Sequence, residues 1–160
     1  MYMQSSSGET PVSDAGLSAA WSRVAAFASA VDADLDRWLA DAYRVGLTEF
    51  RALALLGQAT DKELRVNDLA QRVGLSQSSV TRLVSRLEAK GLARRDLCPD
   101  DGRGVYAVLS GEGETLLREV REPYERRVRE LLSQASGHFP HLDLGQLGLA
   151  LGAVRALVAD

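Results

Sequence analysis

Polar and basic side chains line one side of a predicted helix in the middle of the chain. The opposite side of the same segment is apolar, because Val80, Leu83, Val84 and Leu87 recur at three- and four-residue intervals. Amides, hydroxyls and guanidinium groups are the groups that hydrogen-bond to base edges and phosphates in a DNA major groove. The predicted major-groove residues are Gln77, Ser78, Thr81, Arg82 and Arg86, and Ser79 is a predicted phosphate contact.

A basic hairpin is predicted directly after this helix. Residues 92–97 and 105–109 are short and rich in apolar and β-branched residues, and a turn rich in Pro, Asp and Gly separates them. Arg94, Arg95 and Arg103 make the hairpin positively charged. Because an arginine at a flexible tip can enter a neighbouring minor groove, the hairpin is interpreted as the wing of a DNA-binding domain.

The charge distribution bears on an alternative interpretation, in which this helix is an ordinary solvated surface helix. Taken alone, hydroxyls and arginines on an outer face favour that alternative. Residues 65–103, however, carry eight Lys or Arg against five Asp or Glu, a net charge of +3, whereas the whole chain has a net charge of −3. Positive charge is therefore concentrated around the polar helix, which favours contact with nucleic acid.

The elements that must position this surface are mainly helical. A short bracing helix from Val66 is predicted to end at Gly74, and Ser76 is the expected N-cap of the polar helix. A helical pattern also runs from Asp14 to Tyr43. Thirty helical residues span about 45 Å, which is longer than so small a domain can bury against itself. Part of this helix should therefore meet another chain.

Further helices are predicted around the DNA-binding segment. One begins at the cap Thr48, and a second long helix runs from the cap Ser110 to about Gln134 with a bend at Pro123. A final helix is predicted after Asp143. The predicted organisation is a disordered lead (1–13), a helical dimerisation region (14–45 and 111–160) and a winged helix-turn-helix DNA-binding domain (46–110).

Composition restricts the class of protein. The chain has 160 residues and a net charge of −3, which does not suggest a surface that is basic throughout. With one cysteine no intramolecular disulfide is possible, and a reducing compartment is the expected setting. We see no signal peptide and no apolar run of about 18 residues, so a cytoplasmic protein without membrane contact is predicted.

Other chemistry has little support in the sequence. His138, His141 and Asp143 lie close together, but this spacing lacks the Cys or Glu partners of a typical metal site, so loop polarity is favoured and no metal or cofactor is predicted. Cys98 lies near several arginines, which could lower its pKa and make it a redox sensor. An incidental small hydrophobic residue is the favoured interpretation of Cys98.

The central segment resembles the winged helix-turn-helix of MarR-type (multiple antibiotic resistance regulator) transcription factors. The resemblance rests on Leu69-Ala70, Val73-Gly74-Leu75-Ser76, Val80-Thr81-Arg82-Leu83-Val84, Leu87-Glu88, Lys90-Gly91-Leu92, Arg94-Arg95, Asp100-Asp101-Gly102-Arg103, Val108-Leu109-Ser110 and Gly113. It implies a homodimeric bacterial regulator whose wing places Arg103, with Asp101, at the minor groove. Gly102 and Ser110 depart from the family pattern, in which a second basic residue and a threonine are usual.

The resemblance also implies a small effector, such as an aromatic acid or another lipophile, bound between the dimer helices and the DNA-binding lobe. Trp38, Arg51 and Tyr124 are the candidate ligand-binding residues, although a core or ion-pair role is the simpler interpretation of each.

The sequence therefore predicts a mainly α fold, a winged helix-turn-helix with a small β-hairpin wing and N- and C-terminal dimerisation helices. The predicted function is a homodimeric regulator of double-stranded DNA, a repressor of pseudo-palindromic operators that a small ligand relieves. A winged-helix protein-interaction module and a redox-sensing regulator remain alternatives. An enzyme is disfavoured because no nucleophile–base or metal grouping is present.

Overall fold

The computed structural model describes residues 14–97, 104–138 and 149. Within these ranges, five helices and three strands make a mainly helical fold, as predicted. The elements in chain order are α1 (Asp14–Tyr43), α2 (Leu47–Gln58), β1 (Glu63–Arg65), α3 (Val66–Val73), α4 (Gln77–Ala89), β2 (Ala93–Leu97), β3 (Val105–Leu109) and α5 (Gly111–His138), with a 3-10 turn at Thr60–Lys62. No helix in these ranges is long and apolar enough to cross a membrane.

The three strands form one antiparallel sheet in the order β1-β3-β2. Strands β2 and β3 pair from Ala93 opposite Leu109 to Leu97 opposite Val105. Strand β1 pairs with the other edge of β3, with Leu64 opposite Ala107. Strand β1 directly precedes α3, so the sheet joins the predicted hairpin to the start of α3.

The core forms where α2, α3, α4 and the sheet meet. Its fully buried side chains come from every one of these elements and from the C-terminal part of α1. The two halves of α1 differ in burial. Leu35 and Leu39 are buried, whereas Trp21 and Val24 are 70% and 55% exposed. The first half of α1 thus extends beyond the core with apolar side chains in solvent.

Two helix boundaries differ from the predictions. Helix α2 is capped by Gly46, whose N–H donates to Glu49 at 3.0 Å, rather than by Thr48. Asp36 accepts a hydrogen bond from the N–H of Leu47 at 2.7 Å, so a residue of α1 also satisfies the start of α2. Helix α5 continues through Gly137 to His138 instead of ending near Gln134, because a glycine inside a helix costs only about 1 kcal/mol.

Several predictions fall on residues outside the described ranges. They are the disordered lead (1–13), the tip of the hairpin with Cys98, Asp101 and Arg103, the His141 and Asp143 pair, and the final helix. The division into dimerisation and DNA-binding regions stays a prediction.

Candidate nucleic-acid interface

Helix α4 is fixed on the core by its apolar side. Val80, Leu83, Val84 and Leu87 are fully buried, as the helical spacing predicted. Gly74 ends α3 with a left-handed φ of 76°, which a glycine adopts without steric cost. Ser76 then caps α4 by accepting a hydrogen bond from the N–H of Ser79 at 3.3 Å. The glycine that ends α3 and the serine that caps α4 are therefore where they were predicted.

The outward side of α4 presents polar groups to solvent. Gln77, Ser78, Thr81 and Arg82 are exposed, and Ser79 is half-buried beside the cap. The hydroxyl of Thr81 donates to the carbonyl of Gln77 at 2.9 Å, which leaves its oxygen able to accept. Arg82 donates through Nε to the carbonyl of Ser78 at 3.4 Å, so its guanidinium lies along the outer surface. Hydrogen-bond donors and acceptors suited to base edges thus share one exposed face.

Arg86, at the C-terminal end of this face, already has a partner inside the protein. Its Nε donates to Glu49 Oε1 at 3.2 Å. The Arg86 side chain is nevertheless 57% exposed, whereas the Glu49 side chain is only 6% exposed. Arg86 can therefore contact DNA only through guanidinium N–H groups other than the one that bonds to Glu49.

Glu49 is a buried residue beside this face that sequence reasoning missed. Besides Arg86, it accepts from Lys90 Nζ at 2.7 Å and from the N–H of Gly46 at 3.0 Å. Burial acts to raise its pKa, but the hydrogen bonds from Lys90, Gly46 and Arg86, with the charge of Lys90, together hold the pKa below the ordinary value of 4.5. Glu49 is therefore an ionised carboxylate between α2 and the end of α4.

Arg95 is the second residue whose role the sequence did not reveal. Its Nη1 donates to Glu88 at 2.7 Å, and its Nη2 donates to the hydroxyl of Ser85 at 2.6 Å and the carbonyl of Thr81 at 3.0 Å. Strand alternation offered a signal, because Arg95 shares a face of β2 with the buried Ala93. Its guanidinium ties strand β2 to the side of α4.

Arg94 points to the other face of β2. It pairs within its own strand with Asp96, at 3.0 Å between Nη1 and Oδ2, and both side chains are at least half exposed. Such an exposed pair contributes little to stability, so Arg94 can exchange Asp96 for another anion at small cost.

A cleft of about 320 Å³ opens between the starts of α3 and α4 and the base of the hairpin. Its lining includes Gln77, Thr81 and Arg95, together with Arg65 and Asn67, which were not predicted from the sequence. The Arg65 guanidinium donates to the Tyr106 hydroxyl at 3.0 Å and lies 5.6 Å from the centre of that ring. With two guanidinium groups, two amides and a hydroxyl, the cleft can accept an anionic group such as a phosphate.

The three candidate ligand residues do not form a single site. Arg51 makes a two-bond ion pair with Asp32, at 3.0 and 2.8 Å, and this pairing raises the pKa of Arg51. Tyr124 lies beside Arg51, and burial raises the pKa of its hydroxyl. Trp38 instead borders a separate cleft of about 280 Å³ and packs edge-on against Tyr43, with ring centres 5.4 Å apart.

The redox candidate Cys98 and the wing residues Asp101 and Arg103 lie outside the described residues. Within the described ranges, no group of three or more His, Cys, Asp or Glu side chains could hold a metal ion.

Comparison with known proteins agrees with this geometry. A sequence model of the MarR family matches residues 45–104. The regulator FarR of Neisseria gonorrhoeae is 30% identical over 103 residues, which cover 55% of this chain and 70% of FarR. The transcriptional repressor MprA of Escherichia coli is 29% identical over 89 residues, which cover 56% of this chain and 51% of MprA. Across five curated relatives, the matched segments span from 45% to 73% of the relative.

A solved structure extends the similarity to the helices outside that segment. Sco3205, a MarR family transcriptional regulator from Streptomyces coelicolor solved in complex with DNA, is 26% identical with a TM-score of 0.75. The alignment covers 96% of this chain and 91% of Sco3205. The two proteins thus share a fold over nearly the whole chain. The chain belongs to the MarR family of winged helix-turn-helix transcriptional regulators.

Proposed function

We propose that this chain is a homodimeric repressor that binds pseudo-palindromic double-stranded DNA in the cytoplasm and that a small ligand releases. The single observation that carries the DNA-binding part is the two-sided structure of α4. Its apolar residues are fully buried, so this side of the helix faces the core, and its hydrogen-bonding residues face solvent beside a basic hairpin. The similar protein Sco3205 was solved in complex with DNA, which supports DNA binding by this chain.

In this proposal α4 lies in the major groove and the hairpin reaches the adjoining minor groove. The residues proposed to contact DNA are Gln77, Ser78, Ser79, Thr81, Arg82, Arg86, Arg94, Asp101 and Arg103. Arg65, Asn67 and Arg95 line the cleft beside α4 and are added as groups near the phosphate backbone. Base discrimination is assigned to Gln77, Thr81 and Arg82, because amides, hydroxyls and guanidinium groups match the patterns of base edges.

The dimer is supported by the uncovered apolar part of α1. Trp21 and Val24 are exposed on a 30-residue helix whose C-terminal part alone reaches the core. Large apolar side chains on one exposed helix face suggest a protein–protein contact. A two-fold dimer would present two copies of α4 about one turn of DNA apart, roughly 34 Å, and would therefore select inverted half-sites.

Relief by a ligand is supported by clefts beside the long helices. Trp38 and Tyr43 offer aromatic surface next to Arg126 and Arg127, and Arg51 with Tyr124 offers a second polar and aromatic pair. A ligand can regulate only if it binds two arrangements of the dimer unequally. Repression, rather than activation, is proposed because the relative MprA is named a transcriptional repressor.

The test is to select, from a pool of random DNA duplexes, those that the purified protein binds at several salt concentrations. We expect enrichment of one inverted repeat and affinity for it about 10³-fold or more above that for unrelated duplexes. The affinity should fall steeply with salt because phosphate contacts release counterions. Retention of duplexes without any sequence preference would contradict the proposal. Chromatography with light scattering on the same sample tests the dimer.

A further inference from the structure

The two lysines of this chain both make ion pairs, but they join different parts of the fold. Lys62 pairs with Glu114 on α5, at 2.6 Å. Lys90 follows the last residue of α4, and its Nζ donates both to Glu49 Oε2 at 2.7 Å and to the backbone carbonyl of Arg44 at 2.8 Å. Lys90 thus makes a direct bond from the end of α4 to the residue that follows α1.

Glu49 completes this junction from the other side. The carboxylate accepts from the N–H of Gly46 at the start of α2, and from Arg86 and Lys90 on α4. In the described part of the chain it is the one charged residue that is buried, at 5% exposure. An ionised carboxylate in such a position is held by directional, charge-assisted hydrogen bonds, which are shorter and stronger than neutral ones.

The ion pairs of Glu49 with Arg86 and Lys90 restrict the angle of α4, which its apolar contacts with the core restrict less strongly. The buried side of α4 consists of Val and Leu, and dispersion contacts are not directional. Ion pairs to Arg86 and Lys90 instead fix the C-terminal end of α4 against the turn between α1 and α2. Arg44, within that turn, has a left-handed φ of 60° and places its carbonyl toward Lys90.

We propose that Glu49 and Lys90 are positioning residues that set the angle of α4 relative to α1, and through it the spacing of the two half-sites that a dimer reads. The inference rests on the proposed function, a dimer joined through α1 and reading DNA with α4. In such a dimer a small change in the angle between the two helices alters the separation of the two copies of α4. Lys90 and Glu49 then determine which spacing is preferred without touching a base.

The experiment compares the wild-type chain, Lys90→Met and the matched control Lys62→Met in the same selection from random duplexes. For the wild-type chain we expect one dominant half-site spacing. For Lys90→Met we expect the same half-site sequence spread over two or more spacings, and affinity for the wild-type operator reduced about tenfold. Lys62→Met should retain the wild-type spacing, because its ion pair with Glu114 does not involve α4.

The salt dependence separates positioning from a phosphate contact. A lysine that neutralises a phosphate would lower the slope of log affinity against log salt by about one when removed. The positioning role predicts an unchanged slope for Lys90→Met, together with rescue of the single spacing by Lys90→Arg. A lower slope with an unchanged spacing would overturn the inference and make Lys90 a phosphate contact.

Further outcomes separate this inference from the proposed function. If the wild-type chain selects no inverted repeat, both are overturned. If it selects one and Lys90→Met selects the same single spacing, only the inference fails. Circular dichroism and thermal unfolding check that Lys90→Met folds. Should it not fold, Glu49→Gln, which retains side-chain shape and an acceptor for Gly46, replaces it with the same expected spread of spacings.

Discussion

Arg95 on β2 and Glu88 on α4 are joined by two hydrogen bonds to the two oxygens of one carboxylate. The backbone N–H of Arg95 donates to Oε1 at 2.8 Å, and its Nη1 donates to Oε2 at 2.7 Å. The same guanidinium also reaches Ser85 and Thr81. The hairpin and α4 are therefore joined along their sides, so that in the proposed complex the major-groove and minor-groove contacts keep a constant separation.

The first prediction concerns this joint. In Arg95→Lys a single ammonium cannot reproduce the forked contacts to Glu88 and Ser85, because only a guanidinium presents donors in that fixed geometry. We expect stability to fall by about 1 kcal/mol and affinity for the selected operator to fall by about tenfold to hundredfold. Urea unfolding and fluorescence anisotropy with labelled operator measure the two effects.

Arg118→Lys on α5 is the control for the first prediction. Arg118 donates to the hydroxyl of Thr115 at 3.0 Å, so it is also an arginine with a local side-chain partner, but it lies away from α4. Operator affinity should be unchanged in this variant. An Arg95→Lys protein that binds the operator as tightly as Arg118→Lys would show that the joint does not matter for DNA binding.

The second prediction is a pH dependence of stability centred on Glu49. Its pKa in the folded state lies below the ordinary value of 4.5, so its contribution is fully present above that value. The contribution is lost as the pH falls from 4.5 through the folded-state pKa, because the protonated acid no longer binds Lys90 and Arg86 as an ion. We expect Glu49→Gln to be less stable than the wild-type chain by about 1–3 kcal/mol at pH 7.

Urea unfolding at a series of pH values from 7 to 3 checks this prediction. The difference between the two proteins should be constant from pH 7 to about 5 and shrink below 4.5. Glu125→Gln, a change at an exposed carboxylate on α5, is the control and should stay close to the wild-type curve. A difference that grew on acidification would contradict an ionised Glu49 in the fold.

The third prediction compares the effects of alanine substitutions at two glycines of α5. A Cβ on Gly113 would lie 2.2 Å from the carbonyl oxygen of Leu92 and 2.6 Å from Leu109 Cδ1, so the helix and the sheet would have to move apart. A Cβ on Gly111 meets no atom within 4 Å. We expect Gly113→Ala to lose about 2 kcal/mol or more through overpacking. Gly111→Ala should be neutral or stabilising by a few tenths of a kcal/mol, because alanine favours a helix.

Thermal and urea unfolding of the two glycine variants provide the comparison. Both substitutions add one methyl group and lie two residues apart, so differences in charge do not arise. Equal stability of the two proteins would mean that α5 does not approach Leu92 as closely as the structure shows.

The parts of the fold that the sequence predicted are those set by neighbouring residues. Ser76 as a cap, Gly74 as a left-handed end and the buried stripe from Val80 to Leu87 follow from local hydrogen bonding and helical period. Thr48 shows the limit of this reasoning, because it has the right residue type for a cap. The cap is Gly46 instead, and Glu49 and Asp36 satisfy the free N–H groups at that helix start.

The missed residues depend on contacts between distant segments. Glu49 is an ordinary acidic residue in the first turn of a helix until α4 brings Lys90 to it, 41 positions along the chain. Arg86 has the spacing of a DNA-reading residue, and only the tertiary fold shows that part of its guanidinium is bound to Glu49. Likewise, Trp38 and Arg51 have residue types suited to an effector site, but their helices place them in separate surroundings.

The last prediction distinguishes base reading from phosphate binding at Arg82. This side chain is exposed on the outer face of α4, and its one described hydrogen bond is a long one, 3.4 Å, to the carbonyl of Ser78 in its own helix. If Arg82 reads a base, Arg82→Ala should lose about 1–3 kcal/mol of discrimination at one position of each half-site and little affinity for unrelated duplexes. Competition binding with single-position operator variants measures this loss. The control is Arg121→Ala, at an exposed arginine on α5, which should change neither quantity. A uniform loss across all duplexes, with a salt slope lower by about one, would instead assign Arg82 to a phosphate.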